Sequence, residues 1–298
     1  MERPEPAAGI EVVRCGPLAT VQDRGRPGFG SMGVGRSGAA DAGAAALANR
    51  LVGNAEHAAV LELTLGGATL VFRAATLVAV TGAPCPLDRD GRAEAPNAPF
   101  TVPAGGRLTI GAPEVGLRGY VAVRGGVAVP PVLGSRATDV LAGLGPDALS
   151  PGTVLPVGTD HDGPPPAVEV APVPALESGD LEVRVVPGPR ADWFTPDALD
   201  TLRRGRYVVT ADSNRVGLRL DGPALARARD GELPSEGMVA GAIQVPPSGQ
   251  PVLFLADHPV TGGYPVIGVV HTRDLGILAQ ARPGQAVTFR VVQRAAAR

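Results

Sequence analysis

Glycine and proline interrupt this chain so often that they limit what it can fold into. The sequence contains 41 glycines and 31 prolines among 298 residues, without a collagen-like period. They divide the chain into short pieces, which disfavours long helices and coiled coils. Hydrophobic residues make up 44% of the sequence, enough for a sizeable core without disulfides or structural metals. We therefore expect many short strands joined by turns.

Short runs rich in β-branched and apolar residues occur in both halves of the chain. Those of the first half are IEVV, AVLELTL, TLVF, TLVAVTG, RLTIG and YVAVRGG, and those of the second are LEVRVV, YVVT, AIQV, VLFLAD, PVIGVV and AVTFRVV. Three short helices are predicted, at 41–51, 195–204 and 272–281. Asp41 would cap the first, and Pro196 would occupy the first turn of the second.

A proline-rich stretch at 156–180 marks the clearest domain boundary. Three consecutive prolines, followed by two more, favour an extended, polyproline-like connector. The sequence therefore predicts a first β domain at 1–155, a connector at 156–180 and a second β domain at 181–298.

The charged residues exclude several classes of function. All 27 basic residues are arginine, and 29 acidic residues leave a net charge of -2. Without lysine the chain has no Walker-type phosphate loop, Schiff-base lysine or Ser-Lys nucleophile. Balanced charge and only 3% aromatic residues give no support to a nucleic-acid partner.

Cysteine, histidine and hydropathy patterns point to a cytoplasmic protein without a metal site. Cys15 and Cys85 form neither a CxxC pair nor a disulfide framework. The spacing of the four histidines is not that of metal ligands. Each is expected either at the surface or hydrogen-bonded in the core. The uncharged stretch 237–256 contains prolines and glutamines, so it would make a poor membrane helix. No membrane association is expected.

Polar residues concentrate in four glycine-bearing segments, at 19–41, 124–139, 210–222 and 233–268. Arginine among glycine amides suits carboxylate or phosphate groups, because guanidinium binds them bidentately. A partly desolvated carboxylate from the fourth segment would suit acid/base chemistry. The alternative is that arginine–carboxylate pairs pin long loops to the ends of barrels.

These four segments, in this order, resemble the KipA family, also called allophanate hydrolase subunit 2, and the related carboxyltransferase domain of biotin-dependent urea carboxylase. The resemblance runs from about Val12 to Val292. Its most specific pieces are TVQDRGRPGFGSMGV, LANRLVGN, RGGVAVPPVLGSR, ADSNRVGLRLDG, SEGMVAGAIQVPPSGQP and TGGYPVIG. It implies a mainly β fold with two cyclophilin-like β-barrel domains and few short helices.

The resemblance also implies a function. The implied function is that of the C subunit of an ATP-dependent 5-oxoprolinase, and this subunit would be inactive alone. Together with a KipI-like B subunit and a LamB/YcsF-like A subunit, it would open the lactam of 5-oxoproline to give glutamate. ATP with magnesium would serve the complex, at a place the sequence leaves open. One alternative is a carboxyltransferase acting on urea or a related small amide, with biotin presented by another protein. Another is a regulator that binds a KipI-like kinase inhibitor without chemistry.

The resemblance places ten polar residues near the site. Glu236 and Asp257 are the predicted catalytic carboxylates, for proton transfer or for holding a metal. Arg136 and Arg215 would bind carboxylate or phosphate oxygens of the substrate, so that their loss is expected to damage activity more than stability. The full substrate-binding set is Asp23, Arg26, Ser37, Arg136, Asn214, Arg215, Gln244 and Tyr264.

Overall fold

The computed structural model describes residues 9–161, 163–231 and 233–292. In these ranges the chain has twenty strands and three short α-helices, which confirms the predicted mainly β class. The described residues form two compact units that alternate along the chain. The first comprises 9–26, 41–139 and 143–176, and the second comprises 27–40, 140–142 and 177–292. The domain bounds drawn at 156–180 remain a prediction.

The first unit is built from two antiparallel sheets. Its strands are β1 (Gly9–Cys15), β2 (Leu18–Gln22), β3 (Val60–Thr64), β4 (Ala68–Phe72), β5 (Thr76–Gly82), β6 (Leu87–Arg89), β7 (Arg92–Glu94), β8 (Pro99–Val102), β9 (Arg107–Ile110), β10 (Arg118–Val123) and β11 (Val154–Pro156). One sheet has the order β11-β1-β4-β9-β6-β7, and the other has the order β2-β3-β10-β5-β8. Alternate side chains of both sheets, such as Leu70 and Leu61, fill one hydrophobic core.

One α-helix, α1 (Ala42–Leu51), packs on the first unit. The Asp41 carboxylate accepts a hydrogen bond from the backbone N–H of Ala44 at 3.0 Å. Asp41 thus satisfies one of the N–H groups that the first helical turn leaves open. The predicted first helix and its cap are confirmed.

The second unit contains a closed barrel. Its strands are β12 (Leu181–Pro187), β13 (Arg206–Val209), β14 (Gly217–Asp221), β15 (Glu236–Gly237), β16 (Ala242–Gln244), β17 (Val252–Phe254), β18 (Thr261–Gly262), β19 (Val266–Val270) and β20 (Ala286–Val291). Seven strands close in the order β12-β19-β16-β17-β14-β13-β20, and β15 pairs with β18 as a separate ribbon. The strands β12 and β20 are parallel. Apolar side chains fill the barrel around Tyr207 and Phe289.

The other two predicted helices are shorter than their sequence patterns suggested. The second is α2 (Ala198–Arg204), which ends at Gly205. The third begins with a 3-10 turn at Thr272–Asp274 and continues as α3 (Leu275–Ala279). No helix among the described residues is long and apolar enough to cross a membrane.

Three of the four glycine-bearing polar segments contain strands: β2 ends in the first, β14 lies in the third, and β15 to β18 lie in the fourth, in which β19 begins. In β2 the polar residues Thr20 and Gln22 are buried along with their apolar neighbours, so the strand lacks the polar-out alternation that would identify it. In β14 the alternation is present, because Leu218 and Leu220 face the core while Arg219 is exposed. The surrounding glycines and polar residues made this alternation hard to recognise in the sequence.

Candidate functional site

Three predicted site residues meet in the second unit. Arg215 precedes β14 and Asp257 follows β17, while Ser37 comes from the segment 27–40. The Arg215 Nε and Nη2 atoms each donate to one oxygen of Asp257 at 2.9 Å. Ser37 Oγ donates to Asp257 Oδ1 at 2.6 Å. We call these three residues the Arg215 cluster.

Further backbone contacts complete the Arg215 cluster. The backbone N–H of Val140 donates to Asp257 Oδ2 at 3.2 Å, and Arg215 Nη2 donates to the carbonyl of Gly38 at 2.7 Å. The Arg215 and Asp257 side chains are 1% and 0% exposed. A buried charge pair needs such additional donors, because each ion has lost its hydration. In this arrangement both side chains are held by the protein itself, and a contact between Arg215 and a substrate stays a prediction.

Glu236, the other predicted catalytic carboxylate, lies on β15 of the ribbon. Its carboxylate accepts from Arg190 Nε at 3.0 Å and also contacts Arg190 Nη2. The two side chains are 27% and 38% exposed, so this ion pair is open to solvent. Arg190 was not predicted from the sequence, because the residue follows β12 in a short Pro-Gly-Pro-Arg run outside the four polar segments.

The ribbon also positions Gln244 and Tyr264. Gln244, at the end of β16, donates from Nε2 to the carbonyl of Tyr264 at 3.1 Å. Glu236 is the register partner of Gly262, and a Cβ atom on Gly262 would lie 2.5 Å from Gln244 Nε2. Glycine at this position therefore lets the ribbon approach β16 closely. Glu236, Gln244 and Tyr264 share one end of the second unit as a result.

In the first unit, Asp23 holds the loop that carries Arg136. The Asp23 carboxylate accepts from Ser135 Oγ and from the Arg136 backbone N–H, both at 2.6 Å. It also accepts from the backbone N–H of Gly25 at 2.7 Å. Charge-assisted bonds of this kind are about twice as strong as neutral ones. Asp23 therefore fixes the start of the Arg136 side chain rather than presenting a free carboxylate.

Arg26 and Asn214 also bond to the chain around them. Arg26 is 1% exposed; its Nη2 donates to the carbonyl of Ala137, and its Nη1 lies 3.8 Å from Asp139 Oδ2. Asn214 Oδ1 accepts from the backbone N–H of Val216 at 2.8 Å, which forms an Asx-type turn before β14. These contacts agree with the alternative in which arginine–carboxylate pairs pin loops.

Within each unit the structure brings some of the ten predicted residues together. In the second unit the Arg215 cluster contains Ser37, Arg215 and Asp257, Asn214 adjoins it in sequence, and the ribbon end contains Glu236, Gln244 and Tyr264. In the first unit Asp23, Arg26 and Arg136 lie around the loop 135–139. Within the described ranges no group of three His, Cys, Asp or Glu side chains is placed to hold a metal ion.

Comparison with known proteins gives a consistent result. Residues 32–291 match the family model described as carboxyltransferase domain, subdomain A and B. The chain is 39% identical to the C subunit of 5-oxoprolinase from Escherichia coli over 94% of this chain and 90% of that protein. It is 34% identical to the C subunit of 5-oxoprolinase from Haemophilus influenzae, covering 95% and 91% of the two chains.

A solved structure extends the likeness to the fold. The Kluyveromyces lactis urea carboxylase is similar with a TM-score of 0.90 and 32% identity, over 97% of this chain and 28% of that chain. Sequence and fold thus agree over nearly the full length. The chain belongs to the family of carboxyltransferase domains, subdomain A and B, which includes the C subunit of 5-oxoprolinase.

Proposed function

We propose that this chain is the C subunit of an ATP-dependent 5-oxoprolinase. The observation that carries the proposal is the reciprocal coverage of the Escherichia coli relative, 94% of this chain and 90% of that one. In contrast, the chain matches only 28% of the urea carboxylase, a much longer polypeptide.

The proposed reaction opens the lactam of 5-oxoproline to glutamate. A lactam is an unreactive amide, so ATP with magnesium supplies the phosphoryl group that activates its carbonyl oxygen. Water would then add to the carbonyl carbon, and the ring C–N bond would break as the ring nitrogen takes up a proton to become the glutamate amine. A second water would hydrolyse the resulting acyl phosphate, which gives the glutamate carboxylate and releases inorganic phosphate. The protein residues are needed to hold the substrate, to move that proton and to exclude competing reactions.

Of the two predicted catalytic carboxylates, Glu236 suits the proton-transfer role better. Its side chain is 27% exposed and is oriented by one arginine, Arg190, so a substrate atom has access to it. Asp257 accepts four hydrogen bonds from protein donors. We assign to Asp257 the positioning of Arg215 and Ser37, and to Glu236 the role of acid or base.

The proposal includes partner subunits. The relatives are named as subunits, and the chain has no lysine with which to bind a nucleotide phosphate in the usual way. We propose two partners in the cytoplasm, one a KipI-like B subunit, the other a LamB/YcsF-like A subunit. We assign the ATP site to no residue of this chain.

The test is reconstitution of the complex. The chain is purified with its two presumed partners, and glutamate and ADP are measured with 5-oxoproline and ATP, with each subunit omitted in turn. Turnover by the three together and none by this chain alone is expected. Turnover that does not change when this chain is omitted would overturn the proposal, as would full turnover by this chain alone.

Carboxyl transfer to urea or a related amide is the second candidate, because the matching family model and the urea carboxylase structure point to it. In that case turnover would require carboxybiotin on another protein and would be blocked by avidin. A chain that binds a KipI-like protein, without turnover of either substrate, would instead be a regulator. Assays with avidin and with urea therefore separate the three functions.

A further inference from the structure

The first unit contains a small cavity that none of the residue groups above explains. Its volume is about 140 Å³, and its lining includes Arg136, His57, Asp160 and His161 together with Gly125 and Gly158. The two histidines are 104 residues apart in sequence, and His161 lies in the proline-rich stretch 156–180. No local sequence pattern groups them.

Two glycines in the lining of this cavity lie where two chain segments approach closely. Gly125 has a φ of +90°, and a Cβ atom there would lie 1.9 Å from the carbonyl oxygen of Gly158. A Cβ atom on Gly158 would in turn lie 2.4 Å from the carbonyl oxygen of Gly125. The Gly158 N–H donates to the carbonyl of Gly126 at 2.9 Å. Two chain segments therefore meet here at a distance that only glycine permits.

Arg136 is held in place but keeps its terminal nitrogens available. Its backbone N–H is bound by Asp23 at 2.6 Å, and its Nε donates to the carbonyl of Val129 at 2.8 Å. In the part of the chain that the structure describes, no carboxylate pairs with its Nη atoms. A guanidinium fixed at Nε and lining a cavity is preorganised for an anionic group.

The lining carries a second, opposite charge. Asp160 also lines this cavity, and no ion pair joins it to Arg136 among the described residues. A lone anion would meet repulsion from Asp160, whereas a ligand with a carboxylate and an N–H donor complements both groups. His57 and His161 add further donors or acceptors.

Size narrows the ligand class further. The cavity volume is about 140 Å³. Pockets for drug-sized ligands span roughly 300–1,000 Å³, so a nucleotide is too large. The cavity suits a molecule with the dimensions of a single amino acid.

We infer that this cavity binds a small carboxylate that also carries an N–H or ammonium donor, with its carboxylate on Arg136 and its donor on Asp160. 5-Oxoproline and glutamate, the substrate and product of the proposed reaction, both have this chemistry. The identity of the ligand rests on the proposed function, whereas the site itself rests on the geometry.

Titration calorimetry on the full chain tests the inference with four probes. 5-Oxoproline and glutamate carry both groups, 2-pyrrolidinone carries the lactam without the carboxylate, and acetate carries the carboxylate alone. The first two are expected to bind at least about tenfold more tightly than the last two. Equal affinity for 5-oxoproline and 2-pyrrolidinone would overturn the inference.

Variants then locate the binding. Arg136→Gln is expected to weaken 5-oxoproline binding about 10- to 100-fold, and Asp160→Asn to weaken 5-oxoproline but not acetate. Arg92→Ala is the matched control, because Arg92 is 77% exposed in the same unit and lies 3.8 Å from Glu94. Thermal melts confirm that each variant folds. If Arg136→Gln does not fold, Arg136→Lys is used in its place.

The two proposals fail in distinguishable ways. If the complex turns over 5-oxoproline and Arg136→Gln keeps the wild-type KM and binding affinity, the cavity does not bind 5-oxoproline. The proposed function then still stands. If the complex does not turn over 5-oxoproline but the full chain binds glutamate through Arg136, the cavity inference stands while the proposed function fails.

Discussion

Arg215 binds both oxygens of Asp257 at 2.9 Å in a part of the second unit where neither side chain reaches solvent. The same forked geometry occurs at the surface of that unit, where Arg206 binds Asp180 at 2.7 and 2.8 Å. There the side chains are 58% and 44% exposed. The protein thus contains two chemically matched pairs that differ mainly in burial.

Removing Asp257 should destabilise the fold strongly. Asp257→Ala leaves the Arg215 guanidinium buried without its counter-charge, which costs about 3–5 kcal/mol. Denaturant unfolding of the purified chain measures this cost. Asp180→Ala is the control, and its effect should be much smaller because water screens the exposed pair. Equal unfolding midpoints for the two variants would show that burial of the first pair contributes nothing.

Burial also changes what is expected of Arg215. From the sequence, its loss should damage activity more than stability. The buried contacts with Asp257 and Gly38 lead us to expect a loss of stability first, with any loss of activity following from it. For Arg136, which lines the cavity of the first unit, we still expect its loss to damage activity more than stability.

Glu236→Gln should reduce turnover of the reconstituted complex by about 100-fold or more, because the amide neither accepts nor donates the transferred proton as a carboxyl group does. Stability should change little, since Glu236 and Arg190 form a partly exposed pair. Steady-state kinetics and thermal melts of the complex measure the two effects. Glu182→Gln, at an exposed pair with Arg290, is the matched control. An unchanged kcat in Glu236→Gln would show that Glu236 takes no part in the proton transfer.

Much of the fold could be predicted from local pattern, but the site could not. The run TLVAVTG became β5 at Thr76–Gly82, because its β-branched and apolar residues suit a buried strand. The strand β2 was missed, since its polar residues Thr20 and Gln22 are buried too. A strand that is buried on both faces does not show a period of two.

Long-range contacts explain why the site was harder to predict. Ser37 bonds to Asp257 across 220 residues, and Arg190 bonds to Glu236 across 46. Such partners are brought together by strand order and barrel closure, which no local sequence window contains. Residue type and neighbouring glycines identified most members of each group in the sequence. The contact partner of each residue could be predicted only with knowledge of the strand topology.

Gly125→Ala should distort the lining of the cavity in the first unit. Its Cβ would lie 1.9 Å from a backbone oxygen at a φ of +90°, so strain and overpacking together should cost at least about 3 kcal/mol. Gly91→Ala is the control, because its φ is +84° but nothing lies within 4 Å of its Cβ. That variant should lose only about 1–2 kcal/mol from backbone strain. Denaturant unfolding compares them, and equal losses would mean that the clash is relieved without cost.

The pair of Arg184 and Asp274 should contribute to the stability of the protein in a pH-dependent way. Asp274, at the end of the 3-10 turn before α3, accepts from the Arg184 backbone N–H at 2.8 Å and from its Nε at 2.9 Å. The side-chain hydrogen bonds from Arg184, with smaller contributions from its backbone N–H, its charge and nearby His271, hold the pKa of Asp274 below its ordinary value, although burial opposes them.

A carboxyl group whose pKa is lower in the folded state binds protons more readily after unfolding. Its contribution to stability is therefore fully present above the unfolded pKa, about 3.9, and is lost as the pH falls through the folded pKa. Denaturant unfolding between pH 7 and pH 3 should show a steeper acid loss for the wild type than for Asp274→Asn, which cannot titrate. Asp180→Asn should retain most of the wild-type slope, because Asp180 is exposed. Parallel curves for wild type and Asp274→Asn would mean that this pair does not govern acid stability.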